Sequence, residues 1–120
     1  MSGYKLGQVE SAFAALIWDN EPLSSSRLVE LCGAELGWKK STTYTVIKRL
    51  SERGVVRLEN AVVTALVSRS QVQRSESREV VDRAFGGSLP QFIAAFAGGK
   101  RLTKAEAEEI RRLIDQYEEV

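Results

Sequence analysis

Five hydroxyl side chains stand in a row at Ser41-Thr42-Thr43-Tyr44-Thr45. Cations surround them: between Trp38 and Arg57 there are Lys39, Lys40, Lys48, Arg49, Arg53 and Arg57 against a single acid, Glu52, six minus one, a surplus of five positive charges. Hydroxyl, ammonium and guanidinium groups are the side chains that meet phosphate oxygens and base edges. Cations gain further by releasing counterions from a duplex. Threonine is a weak helix former, so such a run at the start of a helix implies a surface selected for contact. The plainer alternative is a solvated basic face with a hydroxyl-rich cap.

The whole-chain balance conceals this cluster, since 17 Lys and Arg against 16 Asp and Glu leave a net charge of only +1. One hundred and twenty residues, 43% of them hydrophobic and 28% charged, describe a globular protein of about one domain's length. At that size roughly two thirds of the unfolded surface can be buried, enough for a core without disulfides or metal. The absence of histidine excludes serine or cysteine catalysis with a histidine base. With Cys32 as the one cysteine, a tetrahedral Cys/His zinc site cannot be built from one chain. No glycine-rich phosphate loop follows a strand. The expectation is a non-enzymatic protein without metal or other cofactor.

An unpaired cysteine fits a reducing, cytoplasmic compartment. Met1-Ser2-Gly3-Tyr4-Lys5 lacks a signal-peptide core, and no apolar run approaches the ~20 residues of a membrane span, so membrane insertion is not expected.

The elements that must position the hydroxyl run are legible from periodicity. Val9, Phe13, Leu16 and Ile17 recur at helical spacing between Gln8 and Asp19, and Asn20-Glu21-Pro22 stops that helix. Ser24-Ser25-Ser26 caps a second helix carrying Leu28, Leu31 and Cys32, with Gly33 and Gly37 marking its end. Cys32 then reads as a small buried hydrophobe. A third helix runs from Lys40 to Arg53 and closes at Gly54, with Thr43, Val46, Ile47 and Leu50 on one face. The β-branched runs Val55 to Leu58 and Val62 to Val67 make a hairpin about Glu59-Asn60-Ala61.

Three more helices follow. One spans about Gln71 to Phe85 and breaks at Gly86-Gly87. The next starts at Ser88 with Pro90 in its first turn and carries Leu89, Phe92, Ile93 and Phe96. The last opens on the capping box Thr103-Lys104-Ala105-Glu106 and carries Ile110, Leu113, Ile114 and Tyr117. The fold class is mainly α with a small β-hairpin: a winged helix-turn-helix over residues 1–69 and a helical region over 70–120. In the winged arrangement the third helix enters the major groove and the hairpin lies along the backbone. Trp18 and Trp38 flank apolar stripes and read as packing residues.

The stretch Trp38-Lys39-Lys40-Ser41-Thr42-Thr43-Tyr44-Thr45-Val46-Ile47-Lys48-Arg49-Leu50, followed by Arg53-Gly54-Val55-Val56, resembles the recognition-helix signature of the BlaI/MecI/CopY penicillinase-repressor family of winged-helix transcriptional regulators. That signature is roughly Trp, three variable residues, Thr-Val-x-Thr-x-Leu-x-Arg-Leu, then Lys-Gly. Ile17-Trp18, Phe85-Gly86-Gly87-Ser88 and the closing Leu102-Thr103 helix resemble it as well, so the likeness covers nearly the whole chain.

The resemblance implies a homodimeric repressor bound to a palindromic double-stranded DNA operator. Carried over by residue, Thr42, Thr45 and Arg49 are its DNA-contact candidates. Lys40, Ser41, Tyr44 and Lys48 fall at variable positions that would set operator preference, and Lys39 and Arg57 add phosphate neutralisation. The dimerisation candidates are Phe85, Leu89, Phe92, Ile93, Phe96, Ile110, Leu113, Ile114 and Tyr117. These make more apolar surface than three short helices hide by themselves, and such faces usually meet a partner. The alternative is that they fold back on the winged helix as one core.

Three features depart from the family pattern. The Glu59-Asn60-Ala61 turn is short and acidic where a basic wing tip is common, leaving Arg57 and Arg69 as cations near it. That wing supports a competing reading, a protein-interaction adaptor that has lost DNA binding. The resemblance also implies a protease that acts on the C-terminal region at an Asn-Phe bond, and the matching place here is Ala95-Phe96. The copper-responsive branch carries Cys-x-Cys motifs, and this chain has none.

Overall fold

A computed structural model describes residues 6–119; the opening Met1–Lys5 stretch and Val120 lie outside the described residues. The order is α1 (Gln8–Asn20), β1 (Leu23–Ser24), α2 (Ser25–Leu36), α3 (Lys40–Glu52), β2 (Val56–Glu59), β3 (Val62–Ala65), α4 (Arg69–Phe85), α5 (Leu89–Gly99) and α6 (Lys104–Tyr117). It is mainly helical with a small antiparallel sheet, the winged helix-turn-helix order followed by further helices. The chain divides into two compact units, one running to Glu79 and one from Val80.

The first unit is built on a single apolar cluster. Phe13, Ala14 and Ile17 from α1 meet Leu28 and Cys32 from α2, Val46, Ile47 and Leu50 from α3, and Val55, Val56 and Val63 from the sheet. Burying each large member contributes about 1.5–3 kcal/mol. Phe13 stacks on Trp38 with centroids 5.5 Å apart, and the Trp18 indole N–H donates to the Val67 carbonyl at 3.0 Å, so both tryptophans pack. Val9 is exposed despite its helical spacing, and Ala14 occupies the core in its place. Burial pushes the Cys32 thiol pKa up, and a hydrogen bond with the Thr43 hydroxyl opposes that only in part. The thiol is therefore an inert core group.

The α2–α3 turn is made by Gly37, whose φ of 68° is left-handed. Its N–H and that of Trp38 both reach the Cys32 carbonyl, which ends α2 and turns the chain into α3. Gly33 lies inside α2 and marks no end.

The sheet has three strands in the order β1-β3-β2, one more than the hairpin expected from sequence. β1 is only two residues long, with Leu23 opposite Val63 and Ser24 opposite Val62. Across the hairpin, Glu59 pairs with Val62, so Asn60 and Ala61 alone make the turn. Both have positive φ, 52° and 62°, as a type I′ connection requires. α4 begins at Arg69, two residues earlier than its periodicity suggests, because Ser68 and Gln71 cap it reciprocally at 3.1 and 2.7 Å.

In the second unit, Ser88 caps α5 through the Gln91 N–H, and Thr103 with Glu106 forms the capping box of α6. Phe85, Phe92 and Phe96 form a chain of ring contacts with centroids 5.5 and 6.4 Å apart. Yet no described residue from Val80 onward is buried.

Candidate nucleic-acid interface

α3 is the element that displays the hydroxyl run, and its helical spacing sorts the run into faces. Thr43, Val46, Ile47 and Leu50 are buried, which fixes the inward side. Ser41, Thr45 and Lys48 lie opposite, all exposed. Thr42, Thr45 and Arg49 follow the i, i+3, i+7 spacing that puts three side chains on one stripe. Lys40, Tyr44 and Lys48 follow i, i+4, i+8 and make a second stripe.

Contacts to neighbouring helices tell the two flanks apart. The Tyr44 hydroxyl donates to Ser25 Oγ at 3.0 Å, so that stripe borders the start of α2. The Arg49 Nε and Arg53 Nη1 atoms each reach the Glu10 carboxylate at 3.1 Å, so the other stripe borders α1. Of the five hydroxyls, Thr43 is inside and Tyr44 is half-buried and engaged. Thr45 spends its hydrogen on the Ser41 carbonyl at 2.9 Å and keeps only its oxygen lone pairs for a ligand. Ser41 and Thr42 are the two that stand exposed in the first turn of the helix.

The N-cap position is Lys39, whose side chain makes no capping bond. Among the described residues, no side chain accepts from the first-turn N–H groups of α3, and the exposed ammonium groups of Lys39 and Lys40 stand beside them. Backbone donors, cations and hydroxyls converging at one helix start can hold phosphate oxygens.

Arg57 is exposed on β2, which packs against α3. The hairpin tip is bound back on the domain, because the Ala61 carbonyl accepts the Ser25 N–H at 2.9 Å. Arg69 is held elsewhere: it pairs with Asp19 at 2.8 Å and lies 5.3 Å from the centroid of the Trp18 ring.

Glu10 is the residue that sequence reasoning missed. Its Oε1 accepts the Gly7 N–H at 3.2 Å and the Arg53 Nη1, while Oε2 accepts the Arg49 Nε. Burial raises its pKa, but the Gly7 hydrogen bond and the two guanidinium groups outweigh that and leave it below its ordinary value. Nothing local in the sequence announces this role, since the partners are 39 and 43 residues away.

The expected dimerisation residues form a different kind of surface. Leu89, Ile93, Phe96, Leu113, Ile114 and Tyr117 are exposed, Phe96 at 57% and Tyr117 at 75%, while Phe85, Phe92 and Ile110 are partly covered. An apolar groove of about 530 Å³ between α5 and α6 is floored by Phe92, Ile93, Phe96, Leu102 and Ile110. Ala95-Phe96 lies inside α5. No group of metal-ligating side chains occurs among the described residues, and no described helix is long and apolar enough to cross a membrane.

A family model described as "Penicillinase repressor" matches residues 6–116 of the chain. None of the curated proteins compared with the chain matches it.

Proposed function

Given that the chain belongs to the penicillinase repressor family, and is by that membership a DNA-binding transcriptional repressor, we propose that it acts as a cytoplasmic homodimer on a palindromic operator, with α3 of each protomer in the major groove. The observation that carries this reading is the two-sided build of α3. Four residues anchor one side in the core, and the other presents Ser41, Thr42, Thr45, Lys48 and Arg49. Lys39, Lys40, Lys48 and Arg57 neutralise phosphates and supply affinity. Thr42, Thr45 and Arg49 form the stripe that reads base edges, and Ser41 and Tyr44 border it.

The second unit supports the dimer. Its helices leave Phe96, Leu113, Ile114 and Tyr117 in water, and pairing two copies across a two-fold axis covers such faces. A protease that released the repressor at Ala95-Phe96 would have to unwind α5 first, because that bond lies within the helix.

The test is selection of bound sequences from a random duplex pool with the full chain, followed by titration in rising salt. Enrichment of an inverted repeat with half-sites about one helical turn apart, or a multiple of it, is expected. The affinity of that duplex should also fall steeply with salt. An unenriched pool with weak, salt-insensitive retention would instead favour the protein-interaction adaptor, the reading that the short wing with its engaged Ala61 carbonyl supports.

A further inference from the structure

We propose that Glu10 is a positioning residue for DNA recognition: it fixes the Arg49 guanidinium so that the terminal fork of that arginine is presented ready-made to a base edge. The inference rests on the DNA-binding reading above and adds to it a residue from outside α3.

The geometry is specific about which edge of Arg49 is used. The contact to Glu10 Oε2 runs through Nε. Neither Nη atom of Arg49 has a partner among the described residues. Bidentate contact with the O6 and N7 atoms of guanine uses a pair of parallel N–H donors. A carboxylate on Nε therefore restricts the side chain while leaving the Nη pair open.

Glu10 is itself held well enough to serve as a support. Its side chain is only 17% exposed, against 52% for Arg49. Three donors fix it: the Gly7 N–H and Arg53 Nη1 on Oε1, and the Arg49 Nε on Oε2. Arg53 thus anchors the carboxylate from the C-cap of α3, and Gly7 anchors it from the N-cap of α1. An arginine ordered before binding loses less side-chain entropy on contact. The gain falls on the sequence that offers the fork its acceptors.

This reading makes a prediction opposite to simple electrostatics. Glu10→Gln removes a negative charge beside the interface, which by itself raises affinity for any duplex. If Glu10 positions Arg49, the operator loses affinity while a scrambled duplex of equal length does not.

The experiment is an anisotropy titration of the full chain and its variants against the duplex recovered by pool selection and against the scrambled duplex. Glu10→Gln is expected to lower the operator-to-scrambled affinity ratio by about five-fold or more, the scale of one bidentate contact. Arg49→Lys keeps the charge and loses the fork, so it should lower the ratio similarly. In the Arg49→Lys background, Glu10→Gln should then change the ratio by less than about two-fold, since coupled residues do not add. An unchanged ratio in Glu10→Gln overturns the proposal, and so does an equal further loss in the Arg49→Lys background. A parallel fall on both duplexes also overturns it, because that marks a merely structural role. If the unaltered chain binds neither duplex, the DNA-binding reading falls as well, which keeps the two failures apart.

Discussion

The Tyr44 hydroxyl donates to Ser25 Oγ across 3.0 Å, joining the second turn of α3 to the first residue of α2. Ser25 is buried and its backbone N–H is bonded to the Ala61 carbonyl, so one serine ties together α2, α3 and the hairpin tip. Tyr44→Phe should cost about 1 kcal/mol, the net worth of one hydrogen bond. Thermal unfolding followed by circular dichroism would show this as a Tm lower by about 4–8 °C. Operator affinity should change less than in Arg49→Ala, because the Tyr44 hydroxyl is already engaged within the fold.

Arg49→Ala should weaken binding to the selected operator by at least about 1 kcal/mol, with relaxed preference at one base position of each half-site. Lys48→Ala should weaken operator and scrambled duplex alike and flatten the salt dependence by about one unit of slope. Titrations at several salt concentrations separate the two. Equal behaviour of both variants would contradict the division of the exposed face into a reading stripe and a neutralising one.

Glu10 makes stability depend on acidity. Its pKa in the folded chain lies below its ordinary value, although burial pulls the other way. A carboxylate lowered by folding stabilises the native state above its unfolded pKa, and that contribution disappears as pH falls through the folded pKa. Glu10→Gln should therefore be less stable than the unaltered chain at neutral pH, and the two should converge on acidification. Melting curves between neutral pH and the acidic end of the carboxylate range read this directly; a constant gap would contradict it.

Ala61 holds a left-handed conformation at φ 62° with a Cβ attached. Such a conformation costs an L-residue roughly 1–2 kcal/mol. Ala61→Gly removes that cost and gives back part of it as unfolded-state entropy. A net stabilisation of about 0.5–1 kcal/mol is expected by chemical denaturation, with unchanged slope.

Phe96→Glu places a charge on the exposed apolar face of α5. If that face joins two protomers, light scattering at micromolar concentration should give a dimer mass for the unaltered chain and a monomer mass for the variant. A monomer mass for both would remove the dimer from the proposal.

Much of this architecture was legible because its causes are local. Helical spacing placed Thr43, Val46, Ile47 and Leu50 inside, and cap residues located the starts of α5 and α6. β1 was illegible because two residues, Leu23 and Ser24, become a strand only through Val62 and Val63 of β3. Val9 carried the right spacing and stays exposed, so periodicity alone overstated that stripe. The exposed cations and hydroxyls of α3 were legible as a cluster. How each is engaged was not: Glu10, Ser25 and Asp19 all act on residues far away in the chain.

The two-residue turn at Asn60–Ala61 bears on how such a protein lets go. With the tip bound back on Ser25, the hairpin is short, and in the proposed complex each protomer grips through α3 and the neighbouring Arg57 of β2 alone. On the proposed homodimer, holding is a matter of avidity, two modest grips made strong by being linked. In that reading, parting the protomers would empty the operator with α3 and the hairpin unaltered.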